Sequence, residues 1–117
     1  MTNHSIAKNW LQAFNKHDLE KLLSLYDEYA EHYSPKLKIR NPGSNGIIKG
    51  KNALSDWWKD AFDRLPDLFY KEKIITANDD RVFMEYTRIV NGEENINVAE
   101  VLEIRNGLII ASRVYHG

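Results

Sequence analysis

Glu100 is the residue best placed to move a proton. It stands in the run Val98, Glu100, Leu102, Ile104, and strand geometry puts every second side chain on one face. If Leu102 and Ile104 face a core, Glu100 faces it too. A carboxyl withdrawn from water holds its proton to higher pH, which suits acid or base work near neutrality. The alternative is a bulged strand that leaves Glu100 solvated, like Glu103. His32 is the second proton-transfer candidate, because its ordinary pKa lies near neutrality; it shares a face with Ser34. A hydrogen-bonded wall or rim histidine is its alternative. By the same alternation Tyr86 and Arg88 go with Val82 and Met84, and Arg113 and Tyr115 go with Ile109 and Ala111. An inward arginine requires an anion, either Glu100 or an acidic ligand, since a buried unpaired charge is too costly. His116 falls outside, by alternation with Tyr115.

The elements that must position these groups follow from periodicity. Ile6, Ala7, Trp10, Leu11 and Phe14 have amphipathic-helix spacing behind a cap at Thr2 or Asn3. Asp18 caps a second helix carrying Leu19, Leu22, Leu23 and Tyr26 on one face. A short strand, residues 29–34, ends at Pro35. Residues 36–51 carry Asn41-Pro42-Gly43 and Asn45-Gly46 and read as loop. Leu54, Trp57, Trp58, Ala61, Phe62 and Leu65 mark a third helix, closed by Pro66-Asp67. Residues 68–77, 81–90, 95–105 and 108–115 then alternate with period two. Asn91-Gly92 and Asn106-Gly107 stand between them as hairpin turns. Helices first and hairpin-linked strands second predict an α+β domain, with helices on one face of an antiparallel sheet.

With 117 residues the chain is expected to form one domain. The absence of cysteine removes thiolate chemistry, disulfides and cysteine-ligated metal. Sixteen basic against 17 acidic residues give a net charge of −1, which supplies no argument for nucleic acid or an anionic membrane. The longest aliphatic run, Leu108 to Ala111, is too short to cross a bilayer. Met1 to Lys8 lacks the pattern of a secretory leader, so a cytoplasmic protein is expected. No His/Asp/Glu set has metal-ligand spacing and no glycine loop could cradle phosphate. Neither a metal nor a cofactor is therefore expected. Lys36, Lys38, Arg40, Lys49 and Lys51 form a basic stretch read as a solvated loop or an anion-attracting pocket mouth. Asp67 reads as a turn former.

Three local patterns carry a resemblance. Phe14-Asn15-Lys16-His17-Asp18-Leu19 forms a joint between helices. Gly50-Lys51-Asn52-Ala53-Leu54 leads to Trp58 and then Leu65-Pro66-Asp67-Leu68, and Val101 to Ile109 contains Asn106-Gly107. In this order the chain resembles the nuclear transport factor 2-like superfamily, in particular SnoaL-like polyketide cyclases and ketosteroid isomerases. The resemblance implies a cone-shaped curved sheet around three N-terminal helices, with one deep apolar pocket. In ketosteroid isomerases the base aspartate, the oxyanion-hole tyrosine and a protonated carboxyl fall on positions occupied here by Ser34, Trp10 and Glu100. Only the carboxyl is kept, so steroid isomerase activity is not expected. The same alignment turns His32 inward. An acid/base aspartate near the end of the last strand in SnoaL-like cyclases gives His116 a minor candidacy.

Two readings follow. The first is cofactor-free acid/base catalysis (isomerisation, cyclisation, dehydration or hydrolysis) on a small hydrophobic molecule in the cone. Glu100 and His32 would be catalytic, and Trp10, Phe14, Ser34, Trp58, Tyr70, Tyr86, Arg88, Arg113 and Tyr115 would bind substrate. The second is a non-catalytic ligand-binding or protein-interaction module of the same fold. A homodimer is expected through the outer sheet face, to which alternation assigns Phe83, Ile89, Val101, Ile110 and Val114.

Overall fold

The computed structural model describes residues 2–117; Met1, part of the N-terminal stretch considered above, lies outside the described residues. Helix α1 (Asn3–Asn15) starts at Thr2, whose hydroxyl accepts from the Ser5 amide. It buries Ile6, Trp10 and Phe14 along one face. His17 takes a left-handed φ of 53° to turn the chain, and Asp18 accepts from the Lys21 amide to cap α2 (Leu19–Ser24). Strand β1 (Tyr26–Tyr33) follows at once. Tyr26, expected on the face of the second helix, is therefore the first strand residue, and the strand begins three residues before position 29.

The segment expected to be loop is mostly ordered structure. Ser34 accepts from the Lys36 amide and Pro35 occupies the first helical position, which together start α3 (Pro35–Arg40). Both are helix-start signals. A 3-10 turn at Pro42–Ser44 leads into β2 (Ile47–Lys49) and then α4 (Lys51–Arg64). Strands β3 (Phe69–Ala77), β4 (Arg81–Ile89), β5 (Ile96–Arg105) and β6 (Leu108–His116) complete the chain. The β5–β6 hairpin closes through Asn106 and Gly107, both at positive φ, as a two-residue turn of this kind requires. Asn91-Gly92 lies in a longer connection between β4 and β5.

The architecture is α+β: one curved six-stranded sheet, in the order β2-β1-β6-β5-β4-β3, with the helices on its concave face. It is mixed rather than purely antiparallel, because β1 pairs parallel with β6 while every other pair is antiparallel. The register shifts along β1/β6, β3/β4 and β5/β6. In the last of these Ile104 faces Ile109 while Glu103 faces Ala111, so Ile110 is an extra residue on β6. Such a bulge bends its strand and reverses the parity of everything beyond it. Among the described residues no helix is long and apolar enough to cross a membrane.

Gly46 and Gly107 separate two reasons for a glycine. Both have positive φ, but a Cβ on Gly107 would meet nothing within 4 Å, whereas one on Gly46 would lie 2.8 Å from Tyr33 Cε1. Gly107→Ala should cost about 1 kcal/mol through backbone strain. Gly46→Ala should cost at least about 1 kcal/mol more, because the Tyr33 ring must shift as well. Urea denaturation of the two variants checks the order; equal losses would show that Tyr33 yields freely.

Candidate functional site

A cavity of about 260 Å³ lies between the concave sheet face and the helices. Helix α1 contributes Trp10 and Phe14, β1 and its end contribute His32 and Ser34, and α4 contributes Trp58. Tyr70 enters from β3, Tyr86 and Arg88 from β4, and Glu100 from β5. An aromatic stack forms the apolar wall. Phe14 and Tyr70 lie 4.0 Å apart between ring centroids, Tyr70 and Tyr86 4.1 Å, and Trp10 and Phe14 5.3 Å.

Glu100 is 1% exposed. Its Oε1 accepts a 2.6 Å hydrogen bond from the Tyr86 hydroxyl, while Oε2 has no partner and is buried. Burial pushes the carboxyl up to about 8, against a smaller lowering by the Tyr86 bond. At neutral pH Glu100 is therefore mainly a carboxylic acid. With Oε1 occupied as an acceptor, Oε2 carries the free O–H. Tyr70 and Tyr86 are themselves raised above the ordinary phenol range, first by burial and then by the Glu100 charge, so they stay neutral donors.

A second polar line runs through the core from α1 to β1. Trp10 Nε1 donates to the Tyr26 hydroxyl at 3.0 Å, and that hydroxyl donates to Ser112 Oγ at 2.9 Å. Ser112 Oγ lies 2.7 Å from His32 Nδ1. An indole can only donate and neither hydroxyl has another acceptor among the described residues, so each accepts from one side and donates to the other. Ser112 then donates to Nδ1, and the ring proton of His32 resides on Nε2. Burial lowers the His32 pKa to about 3, so the ring is neutral. His32 thus offers the cavity an N–H donor and no free basic nitrogen.

The bulge at Ile110 accounts for the sequence expectations that fail on β6. Beyond it Ser112, Val114 and His116 pair with Leu102, Glu100 and Val98 on the inner face. Arg113 and Tyr115, expected to line the pocket, turn to the outer face instead. There Arg113 Nη1 donates to Glu103 Oε2 at 2.7 Å, and Tyr115 packs against Tyr33 with centroids 5.9 Å apart. Val114, expected outside, is buried in the core, and His116, expected outside, lines the cavity. Arg88 does turn inward, but its partner is Glu93, at 2.8 Å, rather than Glu100. Sequence spacing does not point to Ser112 or the Tyr26 hydroxyl as site groups: Ser112 requires the bulge, and the spacing assigns Tyr26 to a helix. Among the described residues no cluster of three or more His, Asp or Glu could hold a metal ion.

The family model of the SnoaL-like domain matches residues 7–112. A search of curated proteins returns no match. Among solved structures, a SnoaL-like protein of unknown function from Burkholderia thailandensis superposes with a TM-score of 0.87 at 23% identity, covering 98% of this chain and 94% of that one. A nuclear transport factor 2-like protein of unknown function from Cytophaga hutchinsonii gives 0.79 at 14%, over 100% and 91%. A hypothetical protein with a ketosteroid isomerase-like fold from Catenulispora acidiphila, solved with trimethylamine, gives 0.76 at 17%, over 97% and 86%. At these identities the likeness is one of fold.

The buried carboxyl sets a pH dependence with a defined sign. The folded chain keeps the Glu100 proton up to about 8, from an ordinary value of 4.5. Between those values the folded state binds more protons than the unfolded state, so stability falls as pH rises, by about 1.4 kcal/mol per pH unit from this group. Glu100→Gln removes the dependence. Its stability relative to the unsubstituted protein should therefore climb from pH 5 to pH 8 and level off above, as read from melts across that range. A difference independent of pH would place Glu100 in solvent.

Proposed function

The chain belongs to the SnoaL-like domain family, and from that premise we propose that it performs cofactor-free acid/base chemistry on a small, largely apolar molecule held in the cavity. One observation carries this reading: the Glu100 carboxyl is buried, its pKa is raised to about 8, and it keeps one oxygen without a protein partner. A structural acid in a core has its hydrogen bonds completed by neighbours; this one is half completed, in the wall of a cavity. Perturbed groups in clefts are candidates for chemistry. Glu100 donates from Oε2 to a ligand oxygen. His32 Nε2–H polarises a second position, and the Trp10–Phe14–Tyr70 stack excludes water and orients the ligand. The reaction class is acid-assisted rearrangement or elimination at a carbonyl or hydroxyl group, such as isomerisation, cyclisation or dehydration. Ser34, in the isomerase base position, caps α3, which disfavours a steroid isomerase mechanism.

A panel of small cyclic hydroxyketones, followed by loss of substrate, tests the assignment. Glu100→Gln should reduce turnover by about 10²–10⁴-fold, the usual contribution of one general acid, while a bound product analogue keeps its affinity. With Glu100 as the acid, kcat should fall as pH rises through about 8. Unchanged turnover in Glu100→Gln would remove the carboxyl from the mechanism.

We further propose a homodimer through the outer sheet face, where Phe83 is 42% exposed. Ile89, Val101 and Ile110 lie half-buried on the same face. An apolar surface of this kind suits an interface better than bulk water. Sedimentation at micromolar concentration should give twice the chain mass; a monomer overturns it.

A further inference from the structure

The cavity that holds the donors of Glu100 and His32 is also lined by cations. Arg88 stands two residues after Tyr86 on the inner face of β4 and is 5% exposed. Its Nη1 donates to Glu93 Oε1 at 2.8 Å. Glu93 lies on the connection after β4 with its side chain 43% exposed. A guanidinium presents five donors in a planar fork suited to gripping both oxygens of a carboxylate, and Glu93 engages one of them with one oxygen. Lys36, on the first turn of α3, lines the same cavity. No ion pair among the described residues involves it. The Lys36 pKa is lowered by burial and by the Arg88 charge, which places the two cations in the same field.

The rim repeats the imbalance. Arg40 and Arg64 also line the cavity and share the single carboxylate of Asp60, each at 2.8 Å. Four cations thus face two partner carboxylates, an excess of two positive charges, in a chain whose net charge is −1. Asp67 acts weakly on Glu93, but it does not line the cavity and its Oδ2 accepts from the Asn91 amide. Glu100, mostly protonated at neutral pH, offsets nothing. A cavity of about 260 Å³ is slightly below the roughly 300–1,000 Å³ of drug-sized sites, so its occupant has one or two rings rather than four.

We propose that this cavity takes a small amphipathic organic anion: a ring system lying among Trp10, Phe14, Trp58 and Tyr70, with a carboxylate seated between Lys36 and Arg88. The inference rests on reading the cavity as a ligand site and names the class of its ligand. Glu93 holds the place of that carboxylate on Arg88. Its half-exposed side chain lies on a connection between strands, so the ligand's carboxylate displaces it at little cost and gains the donors Glu93 leaves unused.

Isothermal titration calorimetry with two matched probes, 2-naphthoate and the uncharged 2-naphthamide, tests this on the full chain. The carboxylate should bind about tenfold or more tightly than the amide, as a charge-assisted contact implies. Lys36→Met, at a half-buried cavity-edge position, should reduce that preference several-fold. Glu93→Gln should strengthen naphthoate binding and leave naphthamide unchanged. Equal affinities for the two probes in the unsubstituted protein would overturn the anion assignment while leaving the ligand cavity standing. Failure of both probes to bind would overturn both. Melting curves of the two variants confirm folding; a weakened naphthoate in folded Glu93→Gln would make Glu93 part of the binding set and overturn its role as place-holder.

Discussion

Desolvation of the Glu100 carboxyl is the constraint around which this molecule is arranged. Putting an acid among Trp10, Phe14, Tyr70 and Tyr86 disfavours its charged form, and the fold tolerates it because the group stays protonated at neutral pH. Neutrality frees Arg88 from the acid beside it. The arginine pairs with Glu93, so acid and base are not locked together inside the wall. The cavity wall thus carries neutral donors and charged groups side by side. A Glu100–Arg88 pair would have neutralised both and left an inert core.

Directionality is the second organising element. Hydroxyl groups can point either way, so a line of them alone would leave the His32 tautomer undetermined. Anchoring the line at the Trp10 indole removes the choice, and the orientation passes through Tyr26 and Ser112 to the imidazole. Trp10 therefore acts at a distance from the histidine while also forming the floor of the aromatic stack. The line runs from α1 to β1, across to β6 and back to β1, tying the helical layer to the two strands that pair in parallel.

Much of the site was legible from alternation, and the failures have physical causes. Strands β4 and β5 pair without interruption from Arg81↔Glu103 to Arg88↔Ile96, so the period-two rule carries correctly through Val82, Met84, Tyr86, Arg88, Val98, Glu100 and Leu102. The same rule fails on β6 beyond Ile110, because the extra residue is an ordinary isoleucine with no glycine or proline to announce it. Helix α3 was missed for another reason. Six residues are fewer than two turns, too short for an apolar period, although Ser34-Pro35 did carry the start signal. Tyr26 looked helical because Leu19, Leu22 and Leu23 set a spacing that it happens to continue. Glu93 gave no signal at all, since its role arises only from the fold bringing its connection over Arg88.

The bulge at Ile110 also bears on how such a chain diversifies. Most substitutions alter one side chain at a time, but a one-residue deletion here would turn the far half of β6 over. Arg113 and Tyr115 would turn inward, while Val114 and His116 would leave the cavity and Ser112 the inner face. The His32 tautomer would lose its anchor, and the outer face its Arg113–Glu103 pair. A single codon therefore controls two surfaces at once, exchanging cavity wall for exterior without touching the sheet order. Relatives that differ by one residue near this point should not be aligned by sequence across it, because equivalent letters would stand on opposite faces.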